Sequence, residues 1–472
     1  MIDLMNARSH HPIADAFATV RAQSLALAGP LSEADCQVQS MPDASPVKWH
    51  LAHTTWFFET FVLAVHLPGH QPFDPAFRVL FNSYYNGVGA QHPRTQRGLV
   101  TRPDLATVRA YRAAVDAQMA QLLGAPLAPA VVELISLGLQ HEQQHQELIL
   151  TDLLHLLSCN PLAPVYLPLS ATTAPVSTPV AVPAPAPAPV PAAAPTPAAW
   201  LAQPGGLVDI GDASAGFAFD NERPRHAQHL QPCLLASRPV CQGDWAAFIA
   251  DGGYTDPRWW MSAGWDWVRS QQITAPLYWR RSGNPSGNPG GNPIGSPSAN
   301  WQAFTLRGLL PLQADAPVAH ISWFEADAYA RWHAAQHPGQ TPSRLPTEAE
   351  WEHAAQAAWP QALAAGNLLE SGALRPLPAP ATAAAATTTT GLQQLAGDVW
   401  EWTASPYTPY PGYRPWAGAV GEYNGKFMVN QMVLRGGSCA TPRSHIRASY
   451  RNFFPTDARW QFSGLRLARD AD

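Results

Sequence analysis

The sequence predicts two domains of different class, an all-α four-helix bundle followed by a β-rich α+β domain. Three observations predict this. Residues 10–165 carry apolar side chains at a 3.6-residue period. Residues 166–199 are a Pro/Ala-rich run with nothing to build a core from. Residues 200–472 switch to short apolar runs, Gly-rich turns and frequent Trp. A chain of 472 residues with 46% hydrophobic content has length for two or three such domains and ample material for their cores.

Taken in order, a first helix is expected near residues 13–28. The second, "SPVKWHLAHTTWFFETFVLAVH", opens with Ser45 as N-cap and Pro46 at the first helical position. "RPDLATVRAYRAAVDAQMAQLL" and "PAVVELISLGLQHEQQHQELILTDLLHLL" supply the third and fourth, which makes a four-helix bundle the simplest reading. The connection at 67–102 holds "LFNSYYNGVGAQHPRTQRG", and a loop of that length is more often functional than idle. Two further low-complexity inserts, 282–300 and 378–390, read as exposed loops with no catalytic part. In the second domain only "SWFEADAYARWHAAQ" and "TEAEWEHAAQAA" read as clear helices, the latter capped by Thr347 with Glu350 completing a capping box.

Composition excludes several classes. A net charge of −5 with no long basic run argues against a nucleic-acid or membrane-surface partner. No stretch approaches the roughly 18 apolar residues of a membrane span, and the N-terminus lacks the apolar core of a signal peptide. The five cysteines, Cys36, Cys159, Cys233, Cys241 and Cys439, are odd in number, scattered and without a CxxC pair. That pattern fits a reducing cytoplasm rather than a disulfide framework or a thiolate zinc knuckle. The 18 tryptophans hint at aromatic-lined or carbohydrate-like surfaces.

The fourth helix carries the chemistry. Leu134, Gly138, His141, His145, Leu148 and Asp152 follow one another in steps of four and three, so they share a face, and its apolar members belong in the core. Two inward histidines at i,i+4, with Gln144 beside them, point to a metal site. "HEQQH" also matches the zinc-protease pattern, in which the glutamate is the base. The continuation "QELILTD" departs from the extended protease form. A third ligand comes instead from the second helix, where Trp49, His53, Trp56 and Thr60 share a face. This places His53 inward, with His50 as its rival on periodicity. Three neutral imidazoles suit Fe(II) or Zn(II) and leave positions open for substrate and oxygen.

The segments "DASPVKWHLAHTTWFFE", "FNSYYN", "HEQQHQEL", "FDNERP", "SRLPTEAEWE", "GDVWEWT", "LRGGSC" and "YRNFFPTDARWQFSGLRLA" occur in the order of one family. The chain resembles the hercynine sulfoxide synthases of ergothioneine biosynthesis (EgtB type), including their selenoneine synthase branch (SenA type). The resemblance spans nearly everything except the linker and the two inserts. It implies a DinB-like four-helix bundle at 10–165 carrying the metal ligands, a linker at 166–199, and a formylglycine-generating-enzyme, C-type-lectin-like domain at 200–472. It also implies a non-haem Fe(II) held by His53, His141 and His145. The implied reaction joins a sulfur or selenium donor to imidazole C2 of hercynine (trimethylhistidine) with O₂.

The same resemblance implies catalytic roles for Tyr84 or Tyr85, with Tyr407, Tyr410 and Tyr413 as rivals from the second domain. Gln144 and the Asn452–Phe453 pair would hold hercynine, whose trimethylammonium favours aromatic or amide surroundings. Where the mycobacterial branch has an aspartate that binds the amino group of γ-glutamylcysteine, this chain has Phe454. That departure favours a selenosugar donor, with cysteine or γ-glutamylcysteine as the alternative; Arg94 and Arg97 would bind an anionic donor. The single Cys439 after "RGGS" argues against formylglycine-generating activity, and "GDVWEWT" and "FSGLRLA" read as structural core. Two further readings stand beside this one. One is a zinc-dependent hydrolase or thiol transferase on the bundle. The other is a binding module in which the lectin-like domain reads glycans.

Overall fold

A computed structural model describes residues 12–169, 197–281, 301–379 and 390–471. The Pro/Ala run and both low-complexity inserts lie almost wholly outside the described residues. The chain forms two compact units. One comprises Met1–Leu156 with Gly211–Arg225 and Pro409–Met428; the other comprises Leu157–Ile210, His226–Thr408 and Val429–Asp472.

The first unit is helical. Helix α1, Pro12–Ala28, turns Phe17, Val20, Arg21, Ser24 and Leu27 inward at helical spacing. Helix α2 spans Val47–Phe57 and continues as a π-helical turn, Phe58–Leu63. Its start differs from the expectation: Pro46, not Ser45, occupies the N-cap position, and no side chain caps it. The Ser45 hydroxyl accepts from Arg97 Nη1 (2.9 Å) and its N–H donates to Asp152 (2.8 Å). Both polar groups are therefore committed to tertiary partners. All residues of α2 are buried, as expected of a helix at the centre of a bundle.

Helix α3, Leu105–Leu123, starts where the Asp104 carboxylate accepts from Thr107 N–H (2.8 Å). It buries Leu105, Val108, Tyr111, Arg112, Val115 and Met119. Helix α4, Pro129–Ser158, is the longest. Gly138 lets it approach α2 closely, because a Cβ there would lie 2.7 Å from the Phe58 ring and 2.9 Å from the Phe57 ring. Filling that contact by Gly138→Ala would overpack the interface, at a typical cost of about 1–3 kcal/mol.

The second unit is built from small sheets with helices packed on them. Among the described residues one sheet orders β1 (Trp200–Gln203), β4 (Cys233–Ala236) and β12 (Ala468–Asp470); a second orders β10 (Asn452–Pro455), β9 (Gln431–Arg435), β8 (Trp400–Pro406) and β11 (Ser463–Leu465); β2 (Gly206–Ile210) pairs with β3 (His226–Leu230); and β5 (Trp279–Arg281), β6 (Trp301–Thr305) and β7 (Gly308–Pro311) form the last. Pairing is antiparallel except between β11 (Ser463–Leu465) and β8 (Trp400–Pro406). Strand β10, Asn452–Pro455, pairs with β9, Gln431–Arg435, in the register Asn452 to Leu434. The helix Glu348–Gln356 forms as expected, with Thr347 and Glu350 as a reciprocal cap. The helix Trp323–Gln336 is capped the same way by Ser322 and Glu325.

Helices Gln242–Ala250, Ser262–Gln271 and Trp359–Ala365 were not legible in the sequence. They are short and contain Trp or Phe, residues that favour strands out of context. Tryptophan serves the cores more than the surface: Trp56, Trp245, Trp351, Trp400 and Trp402 are all fully buried. Glu401 of β8 pairs with the buried Arg466 of "FSGLRLA" (2.8 Å) and accepts from Trp351 Nε1 (2.7 Å), which makes both motifs structural.

Candidate metal centre

In the first unit the close approach of α2 and α4 brings His53, His141 and His145 together. One ring nitrogen from each lies within 4.8 Å of the others. The Nε2 atoms of His141 and His145 are 3.1 Å apart. Ligands at about 2.0–2.1 Å from one metal and roughly at right angles would stand about 3 Å apart. The rings are nearly removed from water, with 2%, 5% and 9% exposure respectively. His53 is sandwiched between Trp49 (centroids 4.5 Å) and Trp56 (5.5 Å). His141 packs against Phe57 (5.0 Å).

The far nitrogens fix the proton register. His53 Nδ1–H donates to the Phe81 carbonyl (2.6 Å), which leaves Nε2 with a lone pair. His145 Nδ1 meets His50 Nδ1 at 2.8 Å, and His50 Nε2 meets Asp152 Oδ2 at 3.1 Å. Asp152 Oδ2, which accepts from Ser45 N–H, also accepts from His50 Nε2–H, so His50 Nδ1 accepts from His145 Nδ1–H. His145 Nε2 then also presents a lone pair to the cluster. His50, the periodicity rival, is thus a partner of His145, while His53 occupies the cluster. At most one hydrogen, on His141 Nε2, is available between these two inward lone pairs. A buried acceptor would remain unmet, at a cost of about 1–3 kcal/mol. A cation at the cluster satisfies all three imidazoles at once, so the donor set fits a metal. His141 Nδ1 is buried without a hydrogen-bond partner among the described residues.

Electrostatics keeps these rings neutral. Burial pushes His141 down to about 4, and holds His53 and His145 well below the ordinary histidine range. Neutral imidazole is the ligating form. Arg97 adds a buried positive charge to the surroundings. Its guanidinium lies 3.4 Å from the Trp49 ring centroid and donates to the Ser45 and Ser83 hydroxyls (2.9 and 2.7 Å). Burial pushes it down to about 9, still charged at neutral pH.

Glu142 faces away from the cluster. It is fully buried and accepts from Arg21 Nη1 (3.0 Å), Arg112 Nη2 and the Ser24 hydroxyl (2.6 Å). Burial alone would raise this carboxyl, but Arg112 and Arg21 overrule it and hold it down to about 2. An acid so engaged is no base for a metal-bound water.

The remaining expected site residues fall into three places. Tyr85 is buried against Trp56, Phe57 and Phe61, one ring layer from the histidines (5.7, 6.4 and 5.1 Å between centroids). Tyr84 is half-buried, and its hydroxyl accepts from the exposed Arg94 (2.6 Å). Gln144 is half-buried on α4, between the two histidines in sequence. Asn452, Phe453 and Phe454 lie on strand β10 of the second unit. There Phe453 stacks on Tyr407 (4.1 Å) and Phe454 meets Trp460 edge-on (5.7 Å). Of the other rival tyrosines, Tyr413 sets its hydroxyl 3.3 Å from Asp220. The sequence reading missed the roles of Phe81 and Ser83. A backbone carbonyl leaves no trace in a residue pattern, and a loop serine is too common to single out.

Two family models divide the chain. The DinB superfamily matches residues 16–149 and the sulfatase-modifying factor enzyme 1-like domain matches residues 186–471. The protein is therefore of the class that joins a DinB-type helical domain to a formylglycine-generating-enzyme-like one. The hercynine oxygenase of Mycobacterium tuberculosis is 34% identical over 470 residues, covering 96% of this chain and 97% of that protein. The hercynine oxygenase of Mycolicibacterium thermoresistibile is 32% identical over 461 residues, covering 93% and 91%. The chain belongs to the hercynine oxygenase family and is an oxidoreductase-type enzyme. The formylglycine-generating enzyme of Streptomyces coelicolor is 32% identical over 298 residues, covering 57% of this chain and 88% of that enzyme. No helix among the described residues is long and apolar enough to cross a membrane.

Proposed function

We propose that this protein is an Fe(II)- and O₂-dependent synthase that joins a selenium or sulfur donor to imidazole C2 of hercynine. The observation that carries the reading is the buried cluster of three neutral imidazoles, whose two inward lone pairs have one hydrogen between them at most among the described residues. His53, His141 and His145 would hold the iron. When bound, the iron would supply a common site for O₂ and the chalcogen donor and the redox chemistry that an unactivated C–H bond requires.

The protein's own groups would do the rest. Trp49 and Trp56 hold the His53 ring in place and keep water from it. Tyr85 is favoured over Tyr84 as the proton donor. Its ring packs on Trp56 and Phe57, the two rings that lie against His53 and His141. The Tyr84 oxygen is already held by Arg94. Gln144 and the Asn452–Phe453 pair would hold hercynine, whose fixed positive charge calls for amide and aromatic surfaces, and Phe454 would face the donor.

For the donor we propose a selenosugar. Phe454 offers no carboxylate for an amino group, and its neighbour Trp460 presents an aromatic surface of the kind sugars bind. Arg97 favours a second reading: a buried guanidinium bonded only to hydroxyls is a ready partner for a donor carboxylate, as in cysteine or γ-glutamylcysteine, with Arg94 at the loop surface. The zinc-hydrolase reading is disfavoured by the engagement of Glu142 with Arg21 and Arg112.

The test is a competition. Protein loaded anaerobically with Fe(II) receives hercynine, a 1-selenosugar, cysteine and γ-glutamylcysteine together, and then O₂. A hercynine–selenosugar adduct in the mass spectrum is expected. A hercynyl sulfoxide would assign the donor site to the thiols. Tight zinc binding with no O₂ consumed would overturn the reading.

A further inference from the structure

The segment Pro409–Met428 belongs to the helical unit by its contacts. Its short helix, Glu422–Gly425, sits over the turn that carries the two tyrosines. The Glu422 carboxylate accepts from the backbone N–H groups of Asn86 (3.1 Å) and Gly87 (2.7 Å). Lys426, one turn further on, pairs with that carboxylate and donates from Nζ to the Tyr84 carbonyl (2.9 Å). The Tyr84 ring lies edge-on to Tyr423 and Phe427 (5.9 and 5.2 Å).

These bonds take hold of the backbone immediately before Tyr85 and immediately after it. Gly87 leaves room for the carboxylate: a Cβ there would lie 2.7 Å from Glu422 Oε1 and would displace that side chain from its present position. The segment is itself anchored at Asp220 of "FDNERP", which accepts from Asn424 Nδ2 (2.6 Å) and, more weakly, from Trp416 N–H and the Tyr413 hydroxyl (both 3.3 Å).

We propose that Glu422 and Lys426 are positioning residues for Tyr85: they clamp the backbone on both sides of it and so set its phenol against the aromatic layer covering His53 and His141. The catalytic half of this inference rests on the function proposed above; the structural half does not. The two members are unequal. A part-exposed lysine–glutamate pair contributes little by itself, whereas backbone N–H groups donating to a carboxylate make charge-assisted bonds of greater strength. Glu422 is therefore the dominant member.

The first measurement is hydrogen exchange of the metal-free full-length protein. In Glu422→Ala the amides of Asn86 and Gly87 should exchange on the order of 10- to 100-fold faster, with smaller acceleration in Lys426→Met and partial rescue in Glu422→Gln. Gly87→Ala should accelerate the same amides in the wild-type background and have little further effect on top of Glu422→Ala, because the clash partner is then gone. The second measurement uses iron-loaded enzyme with hercynine and donor. Product formed per O₂ consumed should fall roughly tenfold or more in Glu422→Ala while the KM for hercynine stays unchanged. Unchanged exchange at 86–87 would overturn the clamp. Faster exchange with unaltered product per O₂ would overturn the positioning role. Wild-type protein that leaves hercynine unreacted would sink the functional reading and the catalytic half with it, while the exchange data would still decide the clamp.

Discussion

The run "HEQQHQE" presents two polar pairs to two different faces of one helix, and both pairs are buried. His141 and His145 face α2. Glu142 and Gln146, also four apart, face α1. Glu142 takes Arg21 and Ser24 from that helix, and Gln146 Nε2 donates to the Val20 carbonyl (2.9 Å) and the Ser24 hydroxyl (3.0 Å). The difference lies in satisfaction. On the Glu142 side the charges are paired and the carboxylate is met by several donors, and of that cluster Arg112 Nε is left without a partner among the described residues. On the histidine side His141 Nδ1, Trp49 Nε1, Arg97 Nε and Asp152 Oδ1 have no partner among the described residues. A buried polar cluster whose opposite charges meet one another is part of the scaffold; one whose ring nitrogens converge with too few hydrogens between them is open to a further partner. The two faces should therefore fail differently when broken.

The largest effect is expected on the open face. His141→Ala or His145→Ala should abolish stoichiometric iron binding and lower kcat/KM more than about 10³-fold. Each should leave the metal-free protein folded, because the removed ring takes with it one of the inward nitrogens that compete for a single hydrogen. Metal analysis alongside circular dichroism separates the two effects. Glycan binding retained in His141→Ala, with no hercynine turnover by the wild type, would favour the non-catalytic binding module.

Glu142→Ala should do the reverse. Removing this carboxylate strands Arg21 and Arg112 in the core, and breaking a buried pair in this way typically costs about 3–5 kcal/mol. Denaturant unfolding should show that loss, and whatever fraction folds should bind iron normally. A stable Glu142→Ala protein with no activity would instead make the glutamate a chemical base and revive the hydrolase reading. A smaller effect is expected at the relay between the faces and the metal. His50→Phe leaves His145 Nδ1 without its acceptor, so iron affinity should fall about 10- to 100-fold without being lost, as found for partners of metal ligands generally. Titration of metal-free protein with Fe(II) under anaerobic conditions reads this directly.

Much of this was legible in the sequence because helices α1, α3 and α4 each have a polar outer face. The phase of the pattern then states which side is inward, and His141 and His145 follow from it. Helix α2 lacks that information. Every residue in it is buried, so apolar periodicity could not choose between His50 and His53. The choice is made by Phe81 and Asp152, which receive one histidine each. The Ser45 cap failed for a related reason, since a distant arginine had claimed the hydroxyl. The clamp at Glu422 was invisible because it joins residues some 335 positions apart through backbone N–H groups. A resemblance carried by motifs brought Tyr84, Tyr85 and Asn452 to notice; spacing alone does not.

The contrast between satisfied and unsatisfied charge can be sharpened with a second carboxylate. Asp398, in the other unit, is buried like Glu142 but has no cation against it among the described residues. Its oxygens accept only from Asn367 Nδ2 (2.6 Å), Leu377 N–H (2.9 Å) and Gln394 Nε2 (3.0 Å). Burial outweighs these neutral donors and pushes Asp398 up to about 6, where two guanidiniums drive Glu142 down. The linkage signs are opposite. Glu142 contributes stability at neutral pH that is lost as pH falls through the acid range. Asp398 binds its proton more tightly folded than unfolded, so its contribution is complete below about pH 4 and is lost as pH rises through about 6. Asp398→Asn keeps the shape and suits the left-handed backbone at that position (φ 58°). Relative to wild type, the variant should gain up to about 3 kcal/mol in unfolding free energy between pH 4 and 7. The difference curve is the diagnostic quantity, because His320, pushed down to about 3 by burial, opposes this trend in both proteins and cancels. A difference flat with pH would mean that water or a cation reaches Asp398 in solution, and that it belongs with Glu142 after all.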